Sequence, residues 1–133
     1  MSAHIATTFE IKSWDEQPYR EHDDGRKFSR ADVVLHASHD DVDAAATMEN
    51  LLLYLPSGHS SFGGLVRIEG RLGDRSGSLV LRTTGVYDGT EARFNGEIVD
   101  ATGDFEGATG TGSSTSTHAD YPHMPITLTF QVP

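Results

Sequence analysis

The side chains of this sequence best suited to chemistry are seven histidines and a few carboxylates set within apolar stretches. The histidines are His4, His22, His36, His39, His59, His118 and His123. A metal centre needs three or four convergent ligands. His36 and His39 are three residues apart, which puts them on opposite faces of a strand, and no zincin pattern occurs. No metal and no other cofactor is expected. All but His36 sit in or beside loop-like segments, where a solvated imidazole is the ordinary state. His36 lies inside an alternating run, out of phase with Leu35, so it reaches a ligand only if that phase faces inward; an exposed or satisfied histidine is the alternative.

Three carboxylates matter. Glu69 and Glu97 alternate with Ile68 and Ile98 and belong outside if the isoleucines are inside. Glu49 instead shares phase with Leu51 and Leu53. A carboxylate facing a dry interior has a raised pKa and can serve as a general acid or base. Glu49 is therefore the candidate catalytic residue. Arg82 shares phase with Val80 and is a candidate binding residue, with an outer cross-strand pair as its alternative. Trp14, Tyr54, Phe62 and Phe94 could form the walls of a pocket or simply fill a core. The sequence contains no nucleophile elbow or dinucleotide fingerprint. The Gly-rich run from Gly103 to Gly112 lacks a phosphate-loop lysine.

Positioning these residues falls to strands. Thr7–Lys12, Ala31–Ala37, Gly64–Leu72, Ser78–Tyr87, Thr90–Val99 and Ile126–Val132 alternate with a period of two. Asp41–Leu55 suits a helix by propensity, but the Leu51–Leu55 run followed by Pro56-Ser57-Gly58 favours a strand. Turn signals fall between the runs at Asp24-Gly25, Ser57-Gly58, Gly73–Gly77, Asp88-Gly89, Asp104–Gly107 and Tyr121-Pro122. Asp15–Lys27, polar and containing Pro18, reads as a long loop. Gly107–His118 reads as a short thin strand plus loop. Short strands at this spacing make a sandwich or a barrel. Gly63, Gly64, Gly70, Gly85 and Gly96 lie within strand-like segments and suggest bulges or bends where a sheet curls. The expectation is a single all-β domain over residues 1–133, a closed antiparallel barrel of about eight strands.

Composition narrows the partners. The 133 residues carry a net charge of −10 and no cysteine. Acidity of this degree disfavours nucleic acid and anionic membranes. Without a signal peptide or membrane-length apolar run, and without disulfides, a cytoplasmic protein is expected.

Read in order, several segments resemble a bacterial family catalogued as domain of unknown function 3224. They are Phe9–Glu16, Glu49–Tyr54, Ser61–Leu65, Gly70–Leu81, Thr102–Gly107 and Gly110–Gly112. The resemblance covers nearly the whole chain and implies a barrel similar to allene oxide cyclase, a fold whose relatives include cofactor-free cyclases. It matches Glu49 to a recurring acidic position. The chain departs from the pattern at Val66, where relatives often have Glu, and in Met124–Phe130, which lacks the usual tyrosines. A more apolar interior suits an apolar ligand.

The function expected from these readings is a barrel that holds a small apolar or amphipathic molecule, natural-product-like in kind. One form is a cofactor-free cyclase or isomerase with Glu49 as its acid or base and Trp14, His36, Tyr54, Phe62, Arg82 and Phe94 as binding residues. The alternatives are a lipocalin-like carrier and a structural homo-oligomer with a filled barrel.

Overall fold

The computed structural model describes residues 2–133. Eight antiparallel strands follow one another around a closed barrel: β1 (Ser2–Glu21), β2 (Lys27–His39), β3 (Val42–Tyr54), β4 (Ser60–Leu72), β5 (Arg75–Tyr87), β6 (Glu91–Gly103), β7 (Thr109–Thr117) and β8 (His123–Gln131). Each strand pairs with its neighbours in sequence. The ring closes where β1 meets β8, from Ser2 against Gln131 to Glu10 against His123. Closure removes most of the exposed edges that an open sheet would present. A single 3-10 turn, His118–Asp120, joins β7 to β8. No helix among the described residues is long and apolar enough to cross a membrane.

Within Asp41–Leu55, Val42–Tyr54 is a strand, as the flanking turn signals suggested; turns fall within each expected segment, and one at Asp40-Asp41 was not expected. Asp15–Lys27 departs from expectation. Asp15–Glu21 continues β1 and pairs with β2 down to Glu21 against Lys27. Beyond Glu10 this strand has no β8 partner; the Ile11 N–H still donates to the Pro122 carbonyl at 2.7 Å, and past it the outer edge has no neighbouring strand. Pro18 is tolerated there because an edge residue need not donate to a ladder. The polar composition follows from exposure of that arm.

The strand glycines also act differently from expectation. The register shifts fall instead at Lys12, Tyr19 and Val99. Gly64 and Gly85 permit close approach. A Cβ on Gly64 would lie 1.8 Å from the Glu49 carbonyl oxygen. One on Gly85 would lie 2.5 Å from the Phe62 ring, which rests over that glycine.

Inward residues make the core. In β2, Ser29, Ala31, Val33, Leu35 and Ala37 are buried; in β3, Val42, Ala44, Ala46, Met48, Asn50 and Leu52. Beyond the bulge at Lys12, the inward phase of β1 switches from Phe9 and Ile11 to Trp14 and Glu16, which pair with inward Val33 and Ala31. One end of the barrel is filled. Phe105, from the β6–β7 loop, packs edge-on against Phe130 with centroids 5.8 Å apart. Leu79, Leu128, Val42 and Leu72 complete that plug.

Candidate functional site

The other end is open. A cavity of about 500 Å³ occupies the half of the barrel bounded by the end of β3, the start of β4, the end of β5, the start of β6 and the β7–β8 connection. Small inward residues leave this space: Ala31 and Asn50 face each other across β2 and β3, and Asn50 faces Gly64 across β3 and β4. Ala92, Ser114 and Ser116 do the same on β6 and β7. The volume lies within the range typical of small-molecule sites. β7 and β8 pair only from Thr109–Gln131 to Ser113–Thr127. Toward the mouth they diverge around His118–Pro122, and His118, Tyr121 and His123 join the lining there.

The inner surface is apolar: Ile11, Met48, Leu52, Phe94 and Met124 lie among the lining residues. Tyrosines ring the rim. Tyr54 closes β3 and Tyr87 closes β5, each just before a turn, and Tyr121 precedes Pro122. The Tyr54 hydroxyl donates to Glu16 Oε2 at 2.6 Å, and Trp14 Nε1 donates to Glu16 Oε1 at 3.1 Å. Burial, and then the Glu16 carboxylate, push the Tyr54 phenol above its ordinary pKa. Lys27 Nζ lies 4.6 Å from the centre of the Tyr54 ring. Tyr87 and His118 meet edge to face, with Tyr87 Oη 2.5 Å from His118 Nε2. With Nε2 unprotonated, the phenol donates to the imidazole.

Two polar groups in the lining lack partners. Asn50 Oδ1 and Ser114 Oγ are buried and make no hydrogen bond within the protein. A buried polar atom without a partner costs about 1–3 kcal/mol. Such groups call for an explanation, and a functional role is one.

Trp14, Tyr54, Phe62 and Phe94 all line the cavity. Glu49, His36 and Arg82 do not, and the expectation that their phase faces inward is corrected. Glu49 points outward, its side chain 62% exposed and 3.6 Å from Arg30. The inward phase of β3 belongs to Met48, Asn50 and Leu52, while Leu51 is itself exposed. His36 is on the outer face, with Nε2 3.3 Å from Asp43 Oδ1. Arg82 is exposed between Leu65 and Glu97 on neighbouring strands, because Leu81 and Thr83 hold the inner positions.

Asn50, Ser114, Glu16, Tyr87 and Tyr121 escaped the reading of the sequence as site residues, and His118 and His123, read there as solvated, join the lining. One signal was present for the tyrosines: Tyr54, Tyr87 and Tyr121 each stand at or just before a turn. In an up-and-down barrel the turns after odd-numbered strands share one end, so these residues gather at one mouth.

A solved structure from Shewanella oneidensis MR-1, a protein of unknown function from the DUF3224 family, superposes with a TM-score of 0.72. It is 17% identical, and the match covers 100% of this chain and 99% of that one. At that identity the likeness speaks to the fold. No curated protein matches the chain. The model of the family described as protein of unknown function (DUF3224) matches residues 5–130, and the chain belongs to that family.

Proposed function

We propose that this protein binds a small apolar or amphipathic molecule inside the open half of its barrel. The observation that carries this reading is the cavity itself. It is walled by Leu52, Phe62, Phe94 and Met124, with unpartnered Asn50 and Ser114 set into the wall. An empty space of this size forfeits dispersion contacts that larger side chains would supply. A ligand restores them. Its polar atoms can answer Asn50 and Ser114, while its body replaces water against the aromatics.

Trp14 is the sole tryptophan and lies at the cavity wall, so its fluorescence reports occupancy. The test is titration with octyl-chain compounds, alongside native mass spectrometry of the freshly purified protein. Ala92→Phe, which puts a ring into the space, is expected to weaken binding about tenfold or more while the protein stays folded. Unchanged affinity in that variant overturns the reading.

A second reading, a cofactor-free cyclase or isomerase, is favoured by the Tyr87–His118 pair in the lining. A phenol hydrogen-bonded to an imidazole can pass a proton to and from a substrate held nearby, and an apolar enclosure can hold a flexible substrate in a reactive shape. The test is turnover of any ligand recovered from the protein. Activity that survives both Tyr87→Phe and His118→Gln excludes this pair.

A further inference from the structure

We propose that the ligand is an organic cation, a hydrophobic amine or quaternary ammonium whose apolar body fills the barrel and whose charged end rests at the rim beside Trp14 and Glu16. This rests on the cavity-binding reading above and adds the charge of the ligand to it.

The hydrogen-bond inventory of the rim points this way. Four donors at the mouth are already used. Trp14 Nε1 and the Tyr54 hydroxyl both donate to Glu16. The Thr117 hydroxyl donates to Asp120. The Tyr87 hydroxyl is engaged with His118 Nε2. What remains at the rim is mostly ring faces, those of Trp14, Tyr87, Phe62 and Tyr121, with the Tyr121 hydroxyl; deeper in the wall are the Asn50 amide and the Ser114 hydroxyl, which can each donate or accept.

Among the described residues, no lysine or arginine lines the cavity. A carboxylate or phosphate ligand would therefore find no arginine or lysine in the wall, and at the rim only Lys27, which already lies over the Tyr54 ring. A cation finds π faces, which attract it through the ring quadrupole, and one carboxylate held by two lining aromatics. The structure already places one cation against this rim: Lys27 Nζ sits over the Tyr54 ring. The charge of the whole chain, −10, acts in the same direction by drawing cations toward the surface.

The experiment compares three probes of equal chain length, octyltrimethylammonium, 1-octanol and octanoate, by Trp14 fluorescence and calorimetry at pH 8 and low salt. The cation is expected to bind about tenfold more tightly than the alcohol, and octanoate most weakly. Glu16→Gln is expected to lower affinity for the cation several-fold and leave 1-octanol unchanged. Lys27→Gln, which removes a competing charge from the rim, is expected to raise affinity for the cation. If the alcohol binds and the cation shows no advantage, or octanoate binds best, the cation proposal is overturned while the cavity reading stands. If none of the three binds, both fall. A cation preference that survives Glu16→Gln and added salt unchanged places the charge somewhere other than this rim and also overturns the proposal.

Discussion

Replacing Asn50 by leucine is expected to make the protein more stable. Asn50 is only 5% exposed, and its Oδ1 has no partner. Removing that acceptor relieves a desolvation cost of about 1–3 kcal/mol. Leucine has nearly the same length, and its neighbours across the sheet are Ala31 and Gly64, so it has room. Full burial of its extra methyl surface would add about 1.5–3 kcal/mol, but the position borders a cavity and only part of that is realised. Against these gains stands whatever the amide N–H groups contribute on the cavity side. The net gain is expected to be about 1–2 kcal/mol. For a domain of this size that is a rise in Tm of roughly 4–8 °C. Urea unfolding followed by circular dichroism measures it, with the slope m unchanged if the unfolded state is unaffected. Ligands that offer a donor to the cavity wall are expected to bind less well to the variant. A loss of about 1 kcal/mol or more would refute the reasoning, because it would mean that Asn50 holds the barrel together rather than serving what occupies it.

Other outcomes follow from the same structure. Phe105→Ala, which empties the plug against Phe130, is expected to cost about 3–5 kcal/mol in urea unfolding; a loss under about 1 kcal/mol would show that the filled end does not depend on that ring. Gly64→Ala drives a Cβ to 1.8 Å from the Glu49 carbonyl, so β3 and β4 must separate. The cost is expected to reach about 3 kcal/mol or more, seen as lost folded yield or a lowered denaturation midpoint. Acid is expected to destabilise the fold gradually. Hydrogen bonds hold three carboxyls below their ordinary pKa: Glu10 by Lys12, Asp24 by the Arg26 backbone, and Asp88 by the backbone N–H groups of Glu91 and Thr90. Their folded pKa lies below the unfolded one, so their contribution is intact above about pH 4–5 and is lost as pH falls below that. A Tm that does not fall between about pH 5 and pH 3 would contradict this.

The barrel was legible because alternation and turn chemistry agree along most of the chain. Phase was legible only where one face is purely apolar. In Glu49–Tyr54 leucines occupy both phases, and the apolar run cannot say which faces inward. Pairing decides it: Ala31 and Gly64 bracket Asn50 on the inside, and those contacts join residues far apart in sequence. Arg82 was misplaced for the same reason, since Val80 is an apolar residue on the outer phase, while His36 takes the exposed alternative that its alternation with Leu35 left open. The arm of β1 was hidden by its composition, because a strand exposed on both faces carries no apolar period. Glu16 reaches the rim only through the bulge at Lys12, an insertion that a regular two-residue count cannot register. The unpartnered Asn50 and Ser114 could not be found from residue type, because an amide or hydroxyl is conspicuous only once it is known to be buried without a partner in the protein.

The Phe105 plug has a consequence for traffic. A sleeve stoppered at its base has one doorway, so whatever goes in must come out the way it came. On the binding reading proposed above, a long guest would enter tail first and keep its head at the threshold. Release would then depend on that threshold alone, with no route by which a newcomer could push a resident out from behind.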